Sequence, residues 1–98
     1  MGSGVHIKTK ENIIKILELL RNIQGDIHIR GIARHLNVNP ATVSNIIDRY
    51  LGEFVDIRQI DMYGFRAKLI KLQEGKEEAT LNDVLKHHRI RKAIKNQF

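Results

Sequence analysis

Cysteine is absent from this chain of 98 residues. Without a thiol the chain has neither disulfide bonds nor thiolate metal ligands, which are the two devices that stabilise many small domains. The absence fits a reducing, intracellular setting, and we expect a cytoplasmic, nucleoid-associated protein.

Long hydrophobic runs are also missing. No apolar run approaches the ~18 residues that a membrane span needs. The start, Met1 to Gly4, lacks the charged and apolar regions of a signal peptide. We therefore expect no membrane partner, and we predict that residues 1–8 are a disordered start or the remnant of a tag.

Groupings typical of enzymes and metal sites are lacking as well. The sequence has no paired nucleophile and base, no glycine-rich phosphate loop and no spaced set of metal ligands. The adjacent pair His87-His88 does not make a metal site, because neighbouring side chains on a helix point about 100° apart. We expect no enzyme activity, no metal and no cofactor.

Positive charge is what the chain has in excess, with a formal net charge of +6. Such a charge favours polyanionic partners, although it does not choose among DNA, RNA and an anionic membrane. The length and a hydrophobic fraction of 42% indicate one domain with one modest core.

The first half of the chain predicts three helices and a short strand. Apolar residues at helical spacing follow Thr9, a good N-cap, and the helix ends near Gly25. The alternating Ile27–Ile29 indicates a short strand, which needs a partner elsewhere. A helix over 30–36 and a tight turn lead to Asn39-Pro40, an N-cap and first-turn pair that opens a helix closed by Gly52.

The second half predicts a hairpin and a last helix. Residues 54–60 and 66–72 are strand-like, and they are separated by a turn of four or five residues around Asp61–Gly64. A polar linker follows, and Thr80 or Asn82 caps a helix that runs to about Lys95. The predicted class is mainly α with a small hairpin (α+β), in the order helix-strand-helix-helix-strand-strand-helix.

The segment Ile29–Leu51 resembles a helix-turn-helix. Ala33 provides the small residue that two crossing helices need where they touch, and Asn37 suits the left-handed turn. With the hairpin as a wing, residues 10–73 resemble the winged helix-turn-helix DNA-binding regulators of bacteria and archaea (MarR-, ArsR- and Lrp-like). The resemblance implies a DNA-binding domain over 9–73, followed over 74–98 by a linker and a basic helix for dimerisation.

The resemblance also assigns roles to single residues. The second helix of the motif enters the major groove of duplex DNA in this family. Its early exposed residues would then read bases: Ala41, Thr42, Ser44 and Asn45. The phosphate and wing contacts would be Asn39, Arg49, Arg58, Arg66 and Lys68. The implied function is sequence-specific binding of double-stranded DNA by a homodimeric transcription regulator.

Charge along the chain does not follow this assignment closely. Residues 26–51 carry three arginines and two aspartates, a net charge of +1, whereas residues 80–98 carry five basic residues and one acid, a net charge of +4. Since affinity for DNA comes largely from neutralising phosphates, either the last helix adds DNA contacts or a dimer is needed. The candidate extra contacts are Lys86, Arg89, Arg91, Lys92 and Lys95.

Apolar residues on two sides of the last helix indicate a second packing surface, in addition to the one facing its own domain. The predicted dimer interface consists of Ile14, Leu19, Leu81, Val84, Leu85, Ile90 and Ile94.

Three apolar residues, Met62, Tyr63 and Phe65, lie near the predicted tip of the wing. One interpretation is that Tyr63 or Phe65 folds back onto the sheet. The others are that the tip binds a protein partner or enters a minor groove. Two alternative functions therefore stay open: a protein-interaction module in replication, transcription or plasmid partition, and a non-specific protein that coats DNA.

Overall fold

Helices and strands follow one another in the predicted order in the computed structural model, which describes residues 5–97 apart from the side chains of residues 62 and 95–97. The elements are α1 (Ile7–Ile23), β1 (Ile27–His28), α2 (Ile29–Leu36), α3 (Pro40–Ile46), a π-helical segment (Ile47–Leu51), β2 (Val55–Met62), β3 (Phe65–Leu72) and α4 (Leu81–Gln97). The α+β class is confirmed. Residues 1–4 of the predicted disordered start lie outside the described residues.

Helix α1 differs from its prediction at both ends. It begins two residues before Thr9, because His6 is the N-cap and its Nδ1 accepts a hydrogen bond from the Lys8 amide at 3.1 Å. It ends at Ile23, and the C-cap is Gln24, which adopts the left-handed conformation (φ 55°) that glycine usually provides at this position. An imidazole nitrogen and a glutamine thus serve where preferred capping residues lie close by in the sequence.

The connection between α2 and α3 confirms the local predictions. Asn37 is left-handed (φ 58°), and the next amide, that of Val38, donates to the Ala33 carbonyl at 3.0 Å. Asn39 caps α3, since its side-chain oxygen accepts from the Ala41 amide at 2.9 Å, and Pro40 occupies the first turn. Helix α3 then widens into the π-helical segment, and this change coincides with two consecutive buried residues, Ile46 and Ile47.

The three strands form an antiparallel sheet in the order β1-β3-β2. The predicted short strand does pair with the hairpin, with Ile27 opposite Ile70 and His28 opposite Leu69. The hairpin turn is tighter than the predicted loop of four or five residues. Met62 pairs with Phe65, which leaves a two-residue turn of Tyr63 (φ 52°) and Gly64 (φ 80°). Two positive φ angles in succession define the type I′ turn that matches the twist of a hairpin.

The core lies between the helices and one face of the sheet. Residues opposite one another in an antiparallel sheet share a face, and the face that carries Ile27 and Ile70 packs against α1 and α2. The largest fully buried side chains come from every layer: Ile13, Ile16, Leu20, Ile32, Val43, Ile47, Leu51, Ile70 and Val84.

The segment between the sheet and α4 is bound to the domain surface. Arg21 of α1 donates from Nε to the Glu77 carbonyl at 2.6 Å and from Nη2 to the Ala79 carbonyl at 3.0 Å. Ala79 is buried, and the Lys76 ammonium lies 5.3 Å from the centre of the Phe54 ring. The predicted polar linker is therefore a series of turns with specific contacts.

Helix α4 starts at the predicted cap, Thr80. The Thr80 amide donates to Asp83 Oδ2 at 2.9 Å, and the Asp83 amide donates back to the Thr80 hydroxyl at 3.3 Å, which is a reciprocal capping box. The hydrogen bonds from the Thr80 amide and hydroxyl, followed by the charges of Lys86 and Lys76, hold the pKa of Asp83 below its ordinary value of 3.8.

Candidate nucleic-acid interface

A groove of about 850 Å³ runs between the hairpin and the start of α3. It contains three cationic side chains, Arg30, Arg66 and Lys68, and none of its lining residues is acidic. The full lining is His28, Ile29, Arg30, Pro40, Ala41, Ser44, Gln59, Phe65, Arg66, Ala67 and Lys68. It is a positively charged concave surface beside a helix that presents small side chains.

The groove exists because β1 is short. β1 pairs with β3 only at Ile70 and Leu69, so the edge of β3 from Phe65 to Lys68 has no neighbouring strand. An unpaired edge presents backbone N–H and C=O groups to whatever lies beside it. This edge borders the groove, and it adds backbone donors to the cationic side chains.

The register of the hairpin selects the side chains that face α3. Gln59 lies opposite Lys68, and Asp61 lies opposite Arg66. All four residues are on the sheet face that packs against the helices closer to the core. Because side chains alternate along a strand, Arg66 and Lys68 are on the same face as Ile70. They lie beyond the core, toward the tip of the hairpin. The Arg66 Nε lies 3.5 Å from Asp61 Oδ1, and both side chains are largely exposed.

Arg58 lies elsewhere, although the sequence groups it with the other wing cations. It pairs with Leu69 on the opposite face of the sheet, and its Nη2 donates to Asp26 Oδ2 at 2.5 Å. Arg58 does not line the groove, because the alternation of β2 turns it away from α3. The structure thus brings together two of the three predicted wing cations.

Helix α3 places its predicted base-reading residues on one accessible side. Ala41 and Ser44 line the groove, Asn45 is exposed and Thr42 is half-buried. Val43 and Ile46, on the opposite side, are buried in the core. The side-chain oxygen of Asn39 is used for capping. Arg49 is exposed in the π-helical segment, outside the lining of the groove.

The charge distribution in the fold explains why the net charges of the sequence segments did not match the predicted DNA contacts. Asp26 lowers the net charge of residues 26–51, but in the fold its carboxylate is bound to Arg58. Asp48 is exposed in the π-helical segment and does not line the groove. The cations that meet in the groove come from α2 and β3, so no single segment reveals them.

Three polar lining residues are not among the residues predicted from the sequence: His28, Arg30 and Gln59. The strand alternation and a correct hairpin register identify Gln59 as the residue opposite Lys68. Nothing in the local pattern identifies His28 or Arg30, because their position depends on how β1 and α2 meet the hairpin.

Helix α4 divides into a packed half and a free half. Val84 is fully buried and Leu81 and Leu85 are half-buried, whereas every residue from Arg89 to Ile94 is exposed. The free half carries the predicted basic residues Arg89, Arg91 and Lys92. Lys86 lies nearer the body of the domain, beside Phe54, and the Lys95 side chain lies outside the described residues.

The predicted dimer surface needs a correction at two positions. Leu19 and Val84 are buried in the core of their own chain, so they offer no surface to a second one. The exposed members are Ile14 (39%), Ile90 (49%) and Ile94 (53%). Leu19 faces inwards because the buried arc of α1 is wide, as it packs against several neighbours.

Two histidines attach α4 to the end of the α3 region. The Nδ1 of His88 lies 3.2 Å from the Arg49 carbonyl oxygen, and the His88 and Tyr50 ring centres are 4.5 Å apart. His87 packs edge-on against Phe54, with ring centres 5.7 Å apart. These contacts join α4 directly to the π-helical segment that follows α3.

The tip of the hairpin contradicts one interpretation of its aromatic residues. Neither Tyr63 nor Phe65 folds back onto the sheet, since their exposures are 98% and 77%. The Met62 side chain lies outside the described residues. Two aromatic rings therefore stand in solvent at the end of the hairpin, and Phe65 is also part of the groove lining.

Comparisons with known proteins bear on the fold alone. No family model and no curated protein matches the chain. A solved structure, that of RV1404 from Mycobacterium tuberculosis, is similar with a TM-score of 0.50 and 23% identity. The match covers 99% of this chain and 63% of that one, so this chain spans less than two thirds of the length of RV1404.

Among the described residues, no three histidine or acidic side chains come together in a way that could hold a metal ion. Within the same part of the chain, no helix has the length and apolarity needed to cross a membrane.

Proposed function

We propose that the chain is a winged helix-turn-helix protein that binds double-stranded DNA in a sequence-specific manner and regulates transcription as a homodimer. In this proposal α2 and α3 form the helix-turn-helix, and β2 and β3 form the wing. The observation that carries it is the groove between α3 and the hairpin, which has three cations and no carboxylate in its lining.

The charge of the groove suits a phosphate backbone. Each phosphate neutralised by Lys or Arg releases a condensed counterion, and this release supplies most of the non-specific affinity for DNA. Arg30 of α2 and Arg66 and Lys68 of β3 line the groove, so a strand lying in it meets cations from two elements of the fold. The unpaired edge of β3 offers additional backbone donors.

The exposed side of α3 suits the reading of bases. Ala41 and Ser44 are small, so the helix backbone is able to approach base edges closely. Asn45, one turn after Ala41, is exposed, and an amide side chain pairs in a bidentate manner with the N6 and N7 atoms of adenine. We assign positioning to the groove cations and sequence preference to Ser44 and Asn45.

A salt titration of duplex binding tests this assignment. The slope of log affinity against log salt is negative, and its magnitude falls by about 0.9 for each phosphate contact removed. We expect Arg30→Ala, Arg66→Ala and Lys68→Ala each to lower the slope by about that amount and to weaken binding to all sequences alike. Arg58→Ala is the matched control, because it removes the same charge outside the groove.

Two results would contradict the proposal. The first is that the wild-type protein binds no duplex at moderate salt, in a titration that uses a random-sequence pool as the probe. The second is that Arg58→Ala weakens binding as much as Lys68→Ala does, because affinity would then follow net charge and not the groove.

Sequence preference requires a separate measurement. Selection of bound duplexes from the random pool gives the preferred site, and Asn45→Ala should relax the preference at one base pair by about 1–3 kcal/mol. If the selected pool stays random, the protein coats DNA without reading it, and the proposed specificity is wrong.

The homodimer is supported by the free half of α4. Ile90 and Ile94 are one helical turn apart and about half exposed, on a segment whose residues from Arg89 to Ile94 are all exposed. We propose that this half of α4 pairs with a second copy. Sedimentation of Ile90→Ser/Ile94→Ser should then give a monomer, whereas Ile23→Ser, at a similar exposure on α1, should sediment as the wild-type protein does.

A further inference from the structure

We propose that Tyr63, at the tip of the hairpin, acts as a wedge that enters the minor groove of the bound duplex and separates two stacked base pairs. This inference rests on the proposed function and assigns to it a specific deformation of the DNA. It concerns a side chain that packs on no other part of the domain and does not line the cationic groove.

The backbone at Tyr63 is the first observation. Tyr63 has φ 52° and precedes Gly64 with φ 80°, the pair of conformations that a type I′ turn requires. Such turns favour Asn-Gly, Asp-Gly or Gly-Gly, because a side chain branching from a left-handed residue crowds the following carbonyl. A tyrosine there occupies a position that suits it poorly.

The exposure of the side chain is the second observation. Tyr63 is 98% exposed, so its ring packs on nothing that would offset the unfavourable backbone conformation. A residue that is conformationally costly and buries no surface has no stabilising role within the chain. Strain of this kind is retained at positions where the side chain acts on a ligand.

The length of the free hairpin is the third observation. Beyond the last contact of β1, at Leu69, four further residue pairs extend the two-stranded ribbon as far as Met62 and Phe65. At about 3.4 Å per residue this is a projection of roughly 13 Å. The tip therefore extends well past the body of the domain.

The dimensions of the duplex determine what enters it. The minor groove is about 6 Å wide, whereas the two strands of a hairpin are themselves about 4.8 Å apart before side chains are added. The ribbon is too broad to enter, but a single flat ring projecting from its turn fits between base pairs. Insertion of an apolar side chain in this way unstacks a step and kinks the duplex.

The surroundings of the tip favour DNA as its occupant. The aromatic tip is continuous with the cationic groove, since Phe65 lines that groove together with Arg66 and Lys68. The matching partner presents flat apolar surfaces between rows of negative charge. Stacked base pairs between two phosphate backbones have this arrangement.

The experiment uses the full chain and a random-sequence duplex that contains 2-aminopurine, whose fluorescence rises when its base is unstacked. Wild-type protein and Tyr63→Phe, which keeps the ring, should raise the fluorescence several-fold and bend an end-labelled duplex. Tyr63→Asn keeps a residue suited to the turn but removes the ring. It should abolish the fluorescence rise and weaken binding about tenfold, in line with the loss of one base–aromatic stack.

Each outcome decides the question. Binding by the wild-type protein without unstacking, or equal binding and fluorescence for Tyr63→Asn, overturns the wedge and leaves the proposed function standing; the tip is then free for a protein partner. Absence of duplex binding by the wild-type protein overturns both. Circular dichroism of Tyr63→Asn serves as the folding control, and a folded variant that loses only the unstacking supports the wedge.

Discussion

Substitution of Tyr63 by asparagine should make the free protein more stable, although the same change removes the wedge. The free energy of unfolding is the quantity that changes. Asparagine tolerates the left-handed conformation because its short polar side chain bonds locally with the backbone. The observed φ of 52° is therefore costly for tyrosine and acceptable for asparagine.

The size of the effect follows from two terms. Asn is several-fold enriched over other residues at positive φ, and a fivefold preference corresponds to about 1 kcal/mol. The opposing term is the packing lost with the ring, which is negligible because Tyr63 is 98% exposed. We expect a gain of about 0.5–1 kcal/mol, or a rise in Tm of roughly 4 °C for a domain of this size.

Urea unfolding followed by circular dichroism measures this change. The midpoint should rise while the slope m stays constant, because the surface exposed on unfolding is unchanged. Tyr63→Ala is the control, since alanine removes the ring without relieving the positive φ, and its midpoint should stay close to that of the wild-type protein. A loss of stability in Tyr63→Asn would refute the reasoning, because it would mean that the ring packs in the free protein.

Three further predictions concern α4 and its attachment. Because the pKa of Asp83 is lowered in the fold, its carboxylate contributes stability that is present above the unfolded value near 3.8 and is lost as pH falls through the folded pKa. Asp83→Asn should remove that part of the acid sensitivity, which a comparison of unfolding midpoints at pH 3 and pH 6 measures. Val84→Ala should cost ~2 kcal/mol in urea unfolding, whereas Ile94→Ala, on the free half of the same helix, should stay within about 0.5 kcal/mol. Arg21→Met should cost about 1 kcal/mol and speed proteolysis within residues 73–80, and unchanged cleavage would show that its two hydrogen bonds do not hold that segment.

Local chemistry made much of the fold predictable. Asn37 and the Asn39-Pro40 pair specify a left-handed turn and a helix start through contacts within a few residues. Thr80 and Asp83 cap α4 in the same local way. The short strand at Ile27 was predictable as well, because an alternating segment of that length needs a partner and the hairpin supplies one.

The hairpin turn shows where local chemistry misleads. Asp61 and Gly64 are both turn formers, so the sequence favours a loop that spans them. In the structure Asp61 pairs with Arg66 within the ladder, and the turn contains only Tyr63 and Gly64. The longer ladder wins because two more residue pairs form cross-strand contacts, despite the unfavourable φ of Tyr63.

The groove could not be predicted because it is assembled from distant segments. Arg30 and Lys68 become neighbours of one cavity only when β1, α2 and the hairpin are in place. Arg58 was grouped with them by proximity along the chain, but strand alternation turns it to the other face. Which cations act together is a property of the sheet register, and a shift by one residue would exchange the two sets.

The two halves of α4 meet where the helix is attached to the rest of the domain. The attachment is made by His87 and His88, whose rings contact Phe54, Tyr50 and the Arg49 carbonyl. The part of α4 beyond this attachment, as far as Gln97, is about 13 Å long at 1.5 Å per residue. A tilt of ~10° about these contacts would move the end of α4 by about 2 Å, and we expect it to act on the Arg49 carbonyl, in the segment that directly continues the helix of Ser44 and Asn45.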